Sequence, residues 1–409
     1  MSQITAFKDL RVLDMAWVVA GPLIGRALAI NGATVVRVES STRLDTARMM
    51  GPFPDGVANT EKSALFESCN VGKLGLTLDM STEQGKAIVR ELVAWADVVL
   101  ESFSPGQMAS WGLGYDDLRV INPNIIMLST SLMGQTGPWS GFAGFGNVGA
   151  AISGYQALVG WPERLPAGPY GPYTDFVGPR FALLTLLGAL DHRRRTGEGC
   201  YLDVSQCEAG IQFLAPQIAD CAATGRIVET QGNRDPGMAP HGVFRCASVN
   251  TQDESWVAIS VASDAQWQRL AGIIGGEPLA SDPRFDTLTA RKHNEQLLEE
   301  LVAQWTASLT ALQVEVTLQH AGIAAHNVAS SQDLLEDAQL RHRQHFIELP
   351  HELMGTAIVE NASYQLSATP PKFERPAPHY RRDNAYVLQT LLEYSQARIT
   401  ELEEQGVFK

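Results

Sequence analysis

Residues 10–38 read LRVLDMAWVVAGPLIGRALAINGATVVRV and have the pattern of one strand–helix–strand unit. The apolar run Leu10–Asp14 predicts a first strand, and the loop around Gly21 leads to a helical pattern that begins at Leu23 and ends at Gly32. Residues 34–38 then predict a second strand. Two strands joined through a helix in this way are typical of parallel pairing, so the segment indicates an α/β fold.

The same alternation of helix and strand continues along the first half of the chain. Residues 81–95 predict a helix, and residues 97–100 and 125–129 predict two further strands. This rhythm is typical of a doubly wound, Rossmann-like parallel sheet. The turn after the first strand carries Gly21 and Gly25 without the GxGxxG pattern, so NAD binding is not indicated.

The length of 409 residues predicts more than one domain, because single cores tend to stop growing near about 250–300 residues. Residues 142–179 are rich in Gly, Pro and aromatic residues and lead into a helical pattern at 180–195. We predict a large Rossmann-like domain at residues 1–215, a smaller α+β domain at 226–330 and a C-terminal segment at 331–409. The small domain has strand patterns at 242–246, 256–261 and 323–328 and helical patterns near Gln266 and His293, and the chain ends in a predicted helix from Asn384.

The composition excludes several classes of protein. Hydrophobic residues at 45% and charged residues at 19% exclude a disordered chain. The 31 basic and 45 acidic residues give a formal net charge of -14, so nucleic acid is not an expected partner. No apolar run is long enough to span a membrane or form a signal core, and we expect a cytoplasmic protein with no membrane partner. The five cysteines form no CxxC pair, and we expect no metal site.

Asp175 is the candidate reactive residue. It lies in the segment PYGPYTDF, residues 169–176, an aromatic and glycine-rich loop before the helical pattern. One interpretation is a helix N-cap, a position that suits Asp. The other is a partly desolvated nucleophile or base, because an apolar site strengthens the interactions of a carboxylate and protects an anhydride from water. No GxSxG, GxxxxGK or HExxH pattern supports a serine hydrolase, a P-loop protein or a metallohydrolase.

A series of short motifs carries a family resemblance over nearly the whole chain. They are LRVLD (10–14), AGP (20–22), GATVVRVE (32–39), LTLD (76–79), ADVVLESFSPG (96–106), GLGY (112–115), GQTGP (134–138) and RRRTGEG (193–199). With these motifs the chain resembles the class III CoA-transferases, the family of formyl-CoA transferase and carnitine CoA-transferase.

The resemblance implies an activity and an architecture. In that family a nucleophilic aspartate lies just upstream of the helix that ends in the RTGEG-like turn, and Asp175 has this position. Asp175 would attack an acyl-CoA, form an aspartyl-CoA thioester and pass CoA to a small carboxylic acid, with coenzyme A as the cofactor and no metal. The resemblance also implies that the large domain is joined from both ends of the chain, with the small domain between, and that two chains interlock as a dimer.

The resemblance also implies which residues contact coenzyme A. These are Val18, Val19, Ala20, Ser40, Leu78, Asp79, Met80, Ser81, Ser102, Phe103, Ser104, Ser110 and Phe145. Several relatives have a basic side chain or Asn at CoA-facing positions where this chain has Ser40, Ser81, Ser102, Ser110 and Ala143. A heteromer, in which a second, related chain supplies part of the CoA contacts, would explain the difference. Alternatively, backbone amides and the nearby cations Arg37, Arg48 or Lys73 compensate.

Within the family, residues 17–25, 49–54 and 131–135 look most like subunits of benzylsuccinate CoA-transferase. That subgroup implies transfer of CoA from succinyl-CoA to an aryl- or alkyl-substituted succinate in anaerobic aromatic degradation. One alternative is a 2-methylacyl-CoA racemase of the same fold, but Phe145 stands where its proton-accepting His would be, and a phenyl ring accepts no proton. Another is a catalytically silent partner subunit, against which the presence of Asp175 argues.

Overall fold

The computed structural model describes residues 5–248 and 254–409. Its strands are β1 (Arg11–Asp14), β2 (Thr34–Glu39), β3 (Leu74–Thr77), β4 (Val98–Glu101), β5 (Ile126–Ser131), β6 (Tyr201–Ser205), β7 (His241–Cys246), β8 (Ser255–Ser260), β9 (Ala324–Asn327), β10 (Phe346–His351) and β11 (Gly355–Glu360). Its α-helices are α1 (Ala20–Ile30), α2 (Ala64–Asn70), α3 (Glu83–Trp95), α4 (Gln107–Ser110), α5 (Tyr115–Ile121), α6 (Gly146–Ile152), α7 (Tyr155–Leu158), α8 (Tyr173–Thr196), α9 (Gln206–Ile211), α10 (Ala215–Thr224), α11 (Asp264–Ala280), α12 (Leu288–His293), α13 (Glu295–Thr306), α14 (Ala311–His320), α15 (Ser331–Glu336), α16 (Ala338–His342) and α17 (Gln396–Glu404). Short 3₁₀-helices lie at Thr46–Met49, Pro54–Gly56 and Gln212–Leu214, and a π-helix lies at Tyr386–Leu391.

Six parallel strands form the main sheet in the order β3-β2-β1-β4-β5-β6. Val12 pairs with Val35 on one side and with Val98 on the other. The predicted Rossmann-like sheet is therefore confirmed. Because the chain winds outward from β1 in one direction and from β4 in the other, the loops after these two strands border a crevice, the usual ligand position in such sheets.

Helices cover both faces of the main sheet, because successive side chains of each strand point to opposite faces. Leu13 of β1 packs in the core layer that contains Ile88 and Leu92 of α3. Its neighbour Val12 packs in the opposite layer, which contains Leu28 of α1 and Leu186 of α8. The two layers fix α8 against the sheet, and α8 carries Asp175 in its first turn.

The chain forms two compact units. The large unit consists of Met1–Gln156, Gly168–Val228 and Gln339–Lys409, and the small unit of Ala157–Ala167 and Glu229–Ala338. In the small unit the antiparallel sheet β7-β8-β9 packs on helices through a core that includes Trp267, Leu298 and Val314. The excursion Ala157–Ala167 into the small unit lies within the range that we predicted for the large domain.

Two predicted helices have different limits in the structure. The pattern at 180–195 belongs to α8, which begins seven residues earlier, at Tyr173, and contains Pro179. The predicted helix from Asn384 is wrong as one element, because the π-helix ends at Leu391, Glu393 has a φ of 56°, and α17 begins after Ser395. The Ser395 hydroxyl accepts the Arg398 N–H and so caps α17. In the part of the chain that the structure describes, no helix combines the length and apolar character needed to cross a membrane.

Candidate active site

Two adjoining cavities lie at the carboxyl edge of the main sheet. Cavity A, of about 210 Å³, is bordered by the ends of β2 and β3 and by the loop after β4. Cavity B, of about 190 Å³, is bordered by the loops after β1 and β4, by the end of β5 and by Asp175. Trp17 and Phe103 line both cavities. The crevice expected at the reversal of strand order is therefore present.

Most of the predicted site residues lie around these cavities. Cavity A is lined by Ser40, Asp79, Met80, Ser81 and Phe103. Cavity B is lined by Val18, Val19, Ala20, Ser102, Phe103, Ser104, Phe145 and Asp175. Leu78 and Ser110 line neither: Leu78 is fully buried in the core, and the Ser110 hydroxyl donates to the carbonyl of Gln107.

Asp175 is a buried carboxylate in the first turn of α8. Asp175 is 6% exposed, and its Oδ2 atom accepts a hydrogen bond from the Gly146 N–H at 3.3 Å. Burial raises the pKa of Asp175 to about 6, although the Gly146 N–H opposes this shift. The N-cap of α8 is Pro172, so the interpretation of Asp175 as the N-cap is wrong. A carboxylate with few donors around it retains more of its nucleophilic character than a fully hydrogen-bonded one.

Gly146 allows α6 to approach Asp175 closely. A Cβ atom at residue 146 would lie 2.6 Å from the Pro172 carbonyl oxygen, 2.7 Å from the Asp175 nitrogen and 2.8 Å from Asp175 Cγ. The Thr174 hydroxyl donates to the Gly146 carbonyl at 3.1 Å and fastens the same approach. The residue before the first turn of α6 is Phe145, whose half-exposed ring lines cavity B.

The loop after β1 is held in a strained conformation at cavity B. Val18 has a φ of 66°, in a region that β-branched residues rarely adopt. Its N–H donates to both carboxylate oxygens of Asp45, at 3.0 and 3.2 Å. Arg37 forms a buried ion pair with Asp45 and donates to the carbonyl of Ala16 at 2.6 Å. This chain of contacts fixes the backbone that faces Asp175.

The loops after β1 and β4 are joined to each other. The Trp17 N–H donates to the Ser102 hydroxyl at 2.8 Å, and that hydroxyl lies 3.2 Å from the Trp17 carbonyl. The Phe103 ring packs edge-on against Trp17 with ring centroids 5.6 Å apart, and its N–H donates to the buried Glu101 carboxylate at 2.7 Å. The wall between the two cavities is therefore aromatic and is held by hydrogen bonds to Ser102 and Glu101.

The serine hydroxyls at the predicted CoA-facing positions have partners within the chain. Besides Ser102 and Ser110, the Ser40 hydroxyl donates to the Lys409 carbonyl at 2.9 Å, and the Ser81 hydroxyl donates to Asp79 at 2.7 Å. These groups are therefore only partly available to a ligand.

The three cations that were expected to compensate are buried in ion pairs. Arg37 contacts Asp45, Arg48 contacts Glu39 through two hydrogen bonds of 2.8 and 2.9 Å, and Lys73 contacts Asp14 at 2.6 Å. Each is at most 1% exposed, so the suggestion that they bind ligand phosphates is wrong. Among the described residues that line cavity A, the basic side chain is Arg43, which is exposed and lies 5.7 Å from the Trp17 ring centroid.

Several site residues were missed from the sequence. They are Trp17, Arg43, Thr130, Ser131, Gly146 and Gln206. Thr130 and Ser131 directly follow the strand predicted at 125–129, on the same sheet edge as Ser102, which was a usable signal. Nothing in the sequence pattern near Gly146 or Gln206 indicates that they meet Asp175. The described residues contain no group of three or more His, Cys, Asp and Glu side chains placed to hold a metal ion.

Comparison with known proteins assigns this arrangement to a family. The model of CoA-transferase family III matches residues 7–384, a span that contains both cavities and Asp175. The chain belongs to this family. It is an enzyme of the class III CoA-transferases, which use CoA thioesters as substrates, and the predicted family is confirmed.

Individual members of the family are similar over their full length. The chain is 33% identical to the succinyl-CoA–D-citramalate CoA-transferase of Chloroflexus aurantiacus, covering 98% of this chain and 97% of the relative. It is 31% identical to the beta subunit of the succinyl-CoA–L-malate CoA-transferase of the same organism, covering 97% of both. A CAIB/BAIF family protein from Brucella suis superposes with a TM-score of 0.86 at 29% identity, covering 95% of this chain and 100% of that one.

Proposed function

We propose that this class III CoA-transferase moves CoA from succinyl-CoA to a substituted succinate and that Asp175 carries the acyl group and then CoA. The observation that carries the proposal is the placement of a buried carboxylate with a raised pKa in a cavity at the crevice of the sheet. Succinyl-CoA is proposed as the donor because the two relatives from Chloroflexus aurantiacus are named for it.

The proposed reaction has two symmetrical halves. An Asp175 oxygen attacks the thioester carbon of the donor, the carbon–sulfur bond breaks, and CoA leaves as the thiolate. The thiolate then attacks the Asp175 carbonyl of the resulting anhydride, which releases the donor acid as a carboxylate and leaves Asp175 as a CoA thioester. The acceptor carboxylate reverses these two steps, and the Asp175 carboxylate is regenerated. The burial of Asp175 favours this route because it keeps water away from the anhydride.

We place the nucleotide end of coenzyme A in cavity A and its thiol end in cavity B. The exposed Arg43 would pair with a CoA phosphate, and the Trp17 indole beside it offers an aromatic face to the adenine. The pantetheine arm would then pass Phe103, which lines both cavities, and reach Asp175. The predicted contacts of Leu78 and Ser110 with CoA stay predictions.

The acceptor is proposed as a succinate with a substituent on carbon 2. Citramalate and malate, after which the two relatives are named, are both 2-substituted succinates. The benzylsuccinate that the sequence motifs suggested belongs to the same chemical class. A role in anaerobic aromatic degradation therefore remains part of the proposal. A panel of malate, citramalate, 2-methylsuccinate and benzylsuccinate as acceptors, with succinyl-CoA as donor, would identify the acid.

A second chain is also part of the proposal. Helix α10 has no buried residue, and large apolar side chains are exposed on and around α8 and α10: Phe176, Leu184, Phe213, Ile218 and Ile227. An exposed apolar surface of this kind indicates a protein partner. An interlocked dimer would cover it, and the beta-subunit name of one relative makes a heteromer as reasonable as a homodimer. The oligomeric state and transfer rate of the chain expressed alone would separate these two assemblies.

The proposal for Asp175 is tested by Asp175→Asn, which keeps the shape of the side chain and removes the nucleophile. We expect kcat/KM to fall by several orders of magnitude and the CoA adduct, seen by mass spectrometry after incubation with succinyl-CoA, to disappear. Asp191→Asn is the matched control on the same helix, because Asp191 is exposed and forms its ion pairs with Arg194 and Arg195, away from the cavity. Retention of more than about a tenth of kcat/KM in Asp175→Asn would refute the assignment.

A further inference from the structure

Cavity B has polar groups that the chemistry of Asp175 does not use. Thr130 Oγ1, Ser131 Oγ and Gln206 Oε1 are shielded from solvent and have no hydrogen-bond partner in the chain. All three residues line cavity B together with Asp175, and Thr130 and Gln206 are only 1% and 8% exposed. Buried polar groups are nearly always paired in native proteins, so three such groups around one cavity require an explanation.

The fold brings Thr130 and Gln206 to the side of the sheet on which Asp175 lies. Leu128 of β5 packs in the same core layer as Leu186 of α8, so alternation along the strand places Thr130 on the α8 face. Thr130 pairs with Val204 of β6, and Gln206 follows two residues later. A Cβ atom at Gly178 of α8 would lie 3.2 Å from Gln206 Cγ, so Gln206 packs within one turn of Asp175.

The charge of cavity B restricts what these groups can recognise. None of the described residues that line the cavity is Lys, Arg or His, and the Asp175 carboxylate is among them. A second carboxylate of the acceptor would therefore find no counter-charge in this cavity. A hydroxyl group, in contrast, can donate its hydrogen to Gln206 Oε1 and accept a hydrogen from Thr130.

We propose that Thr130 and Gln206 form a subsite for a hydroxyl group on the acid that receives CoA. This inference rests on the proposed transferase function and narrows it: the preferred acceptor is a hydroxylated succinate and not its deoxy or benzyl counterpart. Thr130 and Gln206 then act as specificity-determining residues, since a site built to pair a hydroxyl group discriminates strongly against a substrate that lacks it.

The test compares acceptors that differ by one hydroxyl group. Citramalate is paired with 2-methylsuccinate, and malate is paired with succinate. Because succinate is also the donor acid, its rate is measured as the exchange of labelled succinate into succinyl-CoA. We expect the native protein to favour the hydroxylated acid by about tenfold or more in kcat/KM, the ratio that corresponds to about 1.4 kcal/mol. In Gln206→Met, which keeps the length of the side chain without its amide, the ratio should fall toward one through loss of activity on the hydroxylated acid.

Two further variants complete the design. Thr130→Val removes a hydroxyl group at nearly constant shape and provides a second measurement if Gln206→Met fails to fold. Gln268→Met, at an exposed position of α11, is the control for the substitution itself and should keep the native ratio.

The outcomes separate this inference from the proposed function. Absence of labelled-succinate exchange in the native protein would mean that the transferase proposal itself fails. Normal exchange with equal rates for both members of each pair would overturn the hydroxyl subsite alone, and so would a preference for benzylsuccinate over citramalate. An equal loss on both members of a pair in Gln206→Met would also overturn it, because a structural role predicts that result.

Discussion

Substitution of Gly146 by Ala should lower the reactivity of Asp175 while the carboxylate itself is kept. The new Cβ atom would lie 2.6 Å from the Pro172 carbonyl oxygen and 2.7 Å from the Asp175 nitrogen, and both are backbone atoms that cannot rotate away. The start of α6 must therefore move away from the first turn of α8. The hydrogen bond from Gly146 N–H to Asp175, already 3.3 Å long, would be lost.

The size of the effect follows from that lost contact. A hydrogen bond to a charged group contributes about 1.5–3 kcal/mol, and a displacement of about 1 Å at a reacting group costs on the order of 10²-fold in rate. We expect kcat/KM to fall by about 10- to 100-fold. Since the Gly146 N–H lowers the pKa of Asp175, its loss should also move the acid limb of the pH profile to higher pH.

The assay is the steady-state transfer rate from succinyl-CoA as a function of pH, together with the thermal midpoint of each variant. Gly272→Ala is the matched control, because Gly272 lies inside α11 with open space at its Cβ position. Ala favours a helix interior over Gly by about 1 kcal/mol, so this variant should be at least as stable as the native protein. A folded Gly146→Ala protein with kcat/KM within threefold of the native value and an unchanged pH profile would refute the reasoning.

Two further expectations concern the same site. Burial raises the pKa of Asp175 to about 6, and attack on the thioester needs the anion. We therefore expect kcat/KM to fall about tenfold per pH unit below about pH 6. A pH–rate profile tests this, with the binding of a CoA analogue, which should not change with pH, as the control. Arg43→Ala should raise the KM for the CoA substrate by about tenfold with little change in kcat, because one phosphate contact of about 1.5 kcal/mol is lost. A KM that is unaltered at both low and high salt would contradict the placement of CoA in cavity A.

The centre of the fold could be predicted because its strands are buried on both faces. The strands β1, β2, β4 and β5 each contain two or three consecutive apolar residues, and each coincides with a predicted segment to within about two residues. The strands β3 and β6, with the sequences LGLT and YLDVS, were missed. Both lie at the edges of the sheet, where a strand needs fewer apolar side chains to remain paired.

The candidate site was predictable where residues follow strands and unpredictable where distant segments meet. The loops after β1 and β4 and the position of Asp175 came from motifs, and they do line one cavity. The role of Gly146 depends on the contact of α6 with α8, which no local pattern encodes. Likewise, Arg48 is of a residue type that usually lies at the surface, and only the folded chain brings it into a buried ion pair with Glu39.

The return of Gln339–Lys409 to the large unit sets an order of events during protein synthesis. The ribosome completes the small unit before it makes this last part of the large one. The Asp79 N–H, next to cavity A, donates to the carbonyl of Val407, so a nascent chain that ends before this residue lacks that support. Domains generally fold as units as they emerge, which makes the small unit the first able to finish. Until the C-terminal segment emerges, Leu76 of β3 lacks Val387, Leu388 and Val407 as neighbours in its core layer.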